Sequence, residues 1–172
     1  MSSETRPISR KLKTVIIVTG AAYIVFEFFA DAWTYWIDNA LCFRYLGCNA
    51  GFFGYDAAVH FLAGVFEAVL LVWLCQRFPR FCVLHEDSIR KNILVIVSLV
   101  VLLTLGWELW EFSVDHLRMD VLGENLSNPN VLGQPSGSDT MGDFAFGAVG
   151  ALVGALVVKR VDPASLLMHA SV

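Results

Sequence analysis

The chain has 172 residues, of which 56% are hydrophobic and only 16% charged, with a mean hydropathy of +0.62. A soluble domain is about 45–50% apolar and about 25% charged, so the composition excludes an ordinary water-soluble domain. The net charge of −4 matters less than where the charges fall.

The apolar residues collect in four runs, near residues 14–37, 55–78, 92–117 and 139–158. Each supplies the ~20 residues needed to cross a hydrocarbon core about 30 Å thick. Each is expected to be helical, because a span in lipid must satisfy its own backbone hydrogen bonds. The predicted architecture is an all-α membrane protein, a four-transmembrane-helix bundle forming a single membrane domain over residues 1–172. The first run is too long for a signal h-region and lacks a small-residue cleavage site, so it is expected to remain as a helix. Trp33, Tyr35 and Trp36 end it and Tyr55 opens the second run, as interfacial anchors do.

The first connecting loop holds Cys42 and Cys48, which can close a disulfide in an oxidising compartment. Cys75 and Cys82 fall near the other membrane face, where reducing conditions disfavour a bridge. The second such loop, about 118–138, carries Pro129, Gly133, Pro135 and Gly137 and has loop chemistry. It is expected to be an ordinary surface loop, though it is long enough to cover the acidic mouth of the bundle. The last run carries Gly147, Gly150, Ala151, Gly154 and Ala155 at spacings of three and four. Small residues let helix backbones approach in lipid, so this face is expected to pack against the other helices, a homodimer or another membrane-protein partner being the alternative.

Ten of the twelve Lys and Arg residues lie in the N-terminal tail, the loop between the second and third runs, and the start of the C-terminal tail. The positive-inside rule places that side, with both termini, in the cytoplasm. These basic residues meet lipid headgroups, and nothing points to nucleic acid. The expected location is a bacterial inner membrane.

The informative residues are acidic. Glu27, Asp31, Asp56, Glu67, Glu108, Glu111, Asp115, Asp139 and Asp143 lie within or at the mouths of the runs, with His60 among them. Ionisable groups in a membrane are costly to insert and normally face a bundle interior. Their spacings of three, four and seven put each set on one face of its helix. Asp56, Asp115 and Asp139 are expected at the outer rim. Asp31, His60, Glu111 and Asp143 lie about one turn below, then Glu27 and Glu108, with Glu67 deepest.

Like charges so close cannot all be ionised in a low-dielectric site. A cation or shared protons must compensate them. Carboxylates and an imidazole projecting inward from several helices follow the ligand logic of metal sites in helical bundles. The candidate ligands of a divalent metal are Asp56, His60, Glu108, Glu111, Asp115, Asp139 and Asp143, with Glu27, Asp31 and Glu67 as further acids. His60, Glu108 and Glu111 are the candidate catalytic groups. A proton-sharing network, or protonated acids bonding helix to helix, are the competing readings.

Tyr55-Asp56-Ala57-Ala58-Val59-His60-Phe61, Trp107-Glu108-Leu109-Trp110-Glu111-Phe112 and Asp139-Thr140-Met141-Gly142-Asp143 resemble three ordered elements of the YjdF-type family of small bacterial inner-membrane proteins. The likeness covers roughly residues 55–154. A looser likeness to VanZ-like proteins rests on Asp56, His60, Phe61, Glu108, Asp139, Asp143, Gly147 and Gly150, with Asp143 where those proteins often carry Asn. These resemblances imply a cell-envelope setting and supply no reaction. Three function classes stay open: an enzyme acting on a lipid or cell-envelope substrate, a cation, proton or metal carrier, and a scaffold for a membrane complex.

Overall fold

A computed structural model describes residues 8–28, 55–84, 88–122 and 137–167. Among the described residues there are four long helices: α1 (Arg10–Phe28), α2 (Tyr55–Arg77), α3 (Ile89–Asp120) and α4 (Gly137–Val161). Two single turns of 3-10 helix, Pro79–Phe81 and Pro163–Leu166, follow α2 and α4. Pro in the first turn of each suits a position with no backbone donor to lose. Ser88 caps α3, accepting a hydrogen bond from the Lys91 backbone N–H at 3.3 Å.

Within the described residues, three helical stretches are long and apolar enough to cross a membrane: Ala57–Arg77, Ile89–Asp120 and Thr140–Val161. The fourth expected span is not among them. In α1, Arg10, Lys11 and Lys13 occupy one end and Glu27 lies next to the other. The stretch between, residues 14–26, covers only about 20 Å at 1.5 Å per residue. The rest of the run expected to reach residue 37 lies outside the described residues.

The helices pack in a definite order. α4 lies along α2, α3 packs chiefly on α4, and α1 packs on α2. Small residues set the central contact. A Cβ on Gly150 would strike the Phe61 carbonyl oxygen, and one on Gly64 would strike the Gly147 carbonyl oxygen. A Cβ on Gly154 would come within 2.6 Å of the Val65 carbonyl oxygen. The small-residue face of α4 is therefore consumed inside the chain, by α2. The surface expected to serve a homodimer as the alternative is already covered.

The apolar core gathers at the end where α2 and α4 finish and α1 and α3 begin. Leu12, Val72, Ile96, Val158 and Leu166 are fully buried there. Asn92 is buried among them and donates from Nδ2 to the Leu166 carbonyl at 2.6 Å. That bond fastens the C-terminal 3-10 turn to the start of α3.

One cysteine expectation is corrected at this end. The 3-10 turn at Pro79–Phe81 reverses the chain, so Cys82 returns to the last turns of α2 and forms a disulfide with Cys75. Their Cα atoms are 4.6 Å apart, within the range a bridge needs. Spacing in the sequence could not reveal this return. Cys42 and Cys48 lie outside the described residues.

Two outcomes check this packing. Gly150→Leu forces a side chain into the α2–α4 contact and is expected to cost about 1–3 kcal/mol or more. Gly106→Ala adds a Cβ that meets nothing and should hold or raise stability by up to ~1 kcal/mol. Thermal unfolding in detergent, followed by circular dichroism, orders the two variants; equal melting temperatures contradict the contact. In a Cys42→Ser/Cys48→Ser background, alkylation of Cys75 and Cys82 should require prior reduction, and labelling without reductant would show the bridge absent.

Candidate metal centre and adjoining cavity

At the opposite end from the apolar core, three polar side chains converge from three helices. They are His60 on α2, Glu108 on α3 and Asp143 on α4, with 8%, 4% and 2% of their surfaces exposed. His60 Nε2 lies 3.9 Å from Glu108 Oε1 and 3.8 Å from Asp143 Oδ1. One donor atom from each of the three lies within 4.8 Å of the others.

The convergence follows from the layer beneath it. Gly64 meets Gly147, and the Thr104 hydroxyl oxygen lies 3.0 Å from where a Gly147 Cβ would stand. Thr104 is turned to this position while its hydroxyl donates to the Val100 carbonyl at 3.1 Å. His60 lies four residues from Gly64, Glu108 four from Thr104, and Asp143 four from Gly147. Four residues is about one helical turn. Each candidate ligand thus sits one turn beyond a residue of the closest three-helix contact, on the same side of it.

Chemically, the separations of 3.8 and 3.9 Å exceed the 2.7–3.2 Å of a direct nitrogen–oxygen hydrogen bond. Even a protonated His60 brings one positive charge to two carboxylates. Imidazole and carboxylate together form a nitrogen and oxygen donor set. His60, Glu108 and Asp143 could hold a metal ion.

The other expected site residues divide. Glu111 is half-buried and lines a neighbouring cavity rather than joining His60 and Asp143. The expected depth order is corrected here: Glu108, predicted deeper, is the α3 residue that reaches His60. Neither the level of α3 against its neighbours nor its rotation about its axis was legible in the sequence. Asp115 is buried seven residues beyond Glu108, about 10 Å along the helix, and lies 3.9 Å from Arg118 Nη1. It stays apart from the group of three. The backbones of α2 and α4 place Asp56 and Asp139 one turn beyond His60 and Asp143, and their side chains lie outside the described residues. The Glu27 side chain and all of Asp31 also lie outside them.

The cavity has a volume of about 540 Å³, within the usual range for small-molecule sites. His60, Glu67 and Glu111 line it together with Tyr23, Trp107 and Trp110. It lies between α1 and α3 on a floor of α2. His60 is shared, forming one wall of the cavity and one corner of the group of three. Composition and spacing had marked the acids but not these aromatic walls. The only available signal was the interleaving of Trp107 and Trp110 with Glu108 and Glu111 on α3.

No curated protein and no solved structure matches the chain. A family model described as a predicted membrane protein, DUF2238, matches residues 10–163. The match extends beyond residues 55–154, where the likeness was first drawn, and takes in α1. With three helices able to cross a membrane and a family match over most of its length, the chain belongs to DUF2238, the YjdF-like family of membrane proteins.

Proposed function

We propose that the protein binds a divalent metal ion between His60, Glu108 and Asp143, in the extracytoplasmic half of a bacterial inner membrane, and acts there on a lipid or cell-envelope substrate. The observation that carries this reading is the convergence of one imidazole and two carboxylates, all buried, from three separate helices. Scattered acids serving only to bond helix to helix need no common point.

The donor set suits Zn, Mn or Fe. Three protein ligands leave a fourth position open, the arrangement of catalytic rather than closed structural zinc sites. An ion bound there supplies Lewis acidity and a more acidic bound water. Glu111, on the wall of the adjoining cavity, would accept a proton on that side. Thr104 and the two glycines hold the three ligands in position from below. The looser likeness to VanZ-like envelope proteins favours a substrate drawn from the envelope.

The proposed topology has four spans, with α1 prolonged through the expected first run and both termini in the cytoplasm. Its support is the gathering of Arg77, Arg80, Arg90, Lys91, Lys159 and Arg160 at one end of α2, α3 and α4. The group of three lies toward the other end.

Metal analysis of the detergent-purified protein by mass spectrometry tests the centre. Near-stoichiometric metal is expected in the wild type and after loading. Less than about a tenth of it should remain in His60→Ala and in Asp143→Asn. Failure of the wild type to retain Zn, Mn or Fe after loading sinks the metal reading. Topology has its own check: green fluorescent protein joined after Val172 should fluoresce, while alkaline phosphatase at the same place should be inactive. The reverse pattern would invert the orientation.

A further inference from the structure

The cavity between α1 and α3 has a chemistry that the metal centre does not use. Its floor and walls are Val59, Ala63, Leu102 and Leu103, with the aromatic rings of Tyr23, Trp107 and Trp110. Its ionisable lining consists of His60, Glu67 and Glu111, and among the described residues no Lys or Arg lines it. Glu67 stands one helical stretch of about 10 Å from His60 along α2, deep in a candidate span. It makes no ion pair with a described residue.

The lateral wall is exposed and apolar, as a lipid-facing surface is. Leu102, Leu103 and Trp107 on α3 are 60%, 51% and 45% exposed, and all lie in a candidate span. Gly106 leaves an opening among them, since a Cβ there meets no atom within 4 Å. α1 packs on α2 and α3 chiefly on α4, with no substantial packing of α1 on α3, so the slot persists between them.

Three features select one kind of occupant. Apolar walls open to lipid favour a molecule that partitions into the membrane. Glu67, with no Lys or Arg among the described residues of the lining, attracts a cation and repels an anion in a low-dielectric setting. Indole and phenol faces add attraction for an organic cation over a neutral compound. We infer that this cavity is a binding site for a lipophilic organic cation: an amine-bearing amphiphile that enters from the bilayer, sets its apolar body against Leu102 and Leu103, and places its ammonium between Glu67 and the rings of Tyr23 and Trp107.

The site stands without the metal centre. Where both are occupied, His60 separates them, and the amine-bearing amphiphile is the candidate substrate of the proposed centre.

Isothermal titration calorimetry on the full-length protein in a neutral maltoside detergent tests the inference. The probe is 4-phenylbutylammonium, compared with its neutral counterpart 4-phenylbutan-1-ol. The ammonium compound should bind at least about tenfold more tightly. Glu67→Gln should reduce that affinity at least about tenfold and erase the preference. Gly106→Leu should fill the opening and abolish binding, with the helical circular dichroism and melting temperature retained. Should Gly106→Leu fail to fold, Glu67→Gln and the neutral compound still decide the matter. Asp143→Asn, which removes a metal ligand outside the cavity, should bind the ammonium compound like the wild type. Loss of metal in that variant with binding intact separates the two sites. Equal affinity for amine and alcohol, unchanged affinity in Glu67→Gln, or no binding of the ammonium compound to the wild type overturns the inference.

Discussion

The close approach of α2 and α4 is the constraint on which the rest of the molecule depends. It is possible only because Gly64, Gly150 and Gly154 present no side chain at the crossing. Lipid offers no hydrophobic force to press two helices together, so contact must come from fitting surfaces. Gly64 and Gly147 bring the backbones near, and Thr104 brings α3 onto the same layer. The polar residues one turn further on are then obliged to meet. His60, Glu108 and Asp143 are held together by the packing of the helices that carry them.

This arrangement divides the bundle along its length. One end is dry and apolar, closed by Leu12, Ile96, Val158 and Leu166 and by the Asn92 bond to the C-terminal turn. The other end carries buried charge. Charged groups inside a membrane are tolerated where they face one another or a cavity, and both conditions hold here. The dry end supplies stability that the charged end cannot, in keeping with the general rule that functional sites are the costly parts of a fold.

Much of this was legible in the sequence, for physical reasons. The bounds of α2 and α4 agree with the apolar runs within a few residues, because hydrocarbon thickness dictates run length. α3 exceeds its run by three residues at each end, since a capping Ser88 and polar helix formers extend it beyond the apolar stretch. His60, Glu108 and Asp143 were all among the candidate ligands, because an ionisable residue in a span is conspicuous. The choice of Glu108 over Glu111 was not legible, since three residues' difference on a helix becomes a different neighbour only once the rotation of the helix is known. The Cys75–Cys82 bridge was hidden by a turn of three residues. Gly64 was missed for a related reason: a lone glycine in an apolar run gives no sign until its partner on another helix is seen.

α3 has one more consequence, through its length. Its 32 residues extend about 48 Å, whereas a hydrocarbon core is about 30 Å thick. Asn92 and Ile96 anchor its beginning in the apolar core, so the surplus emerges at the far end. The final turns and the residues that follow, with Asp115 and Arg118 side by side and Leu117, Val121 and Leu122 exposed, have the mixed surface that suits a headgroup layer. An amphiphilic surface of this kind suits that layer, where tilt and depth are set by the match between side chain and boundary. As the longest of the described helices, α3 is the one suited to moor the bundle, beside the charged end.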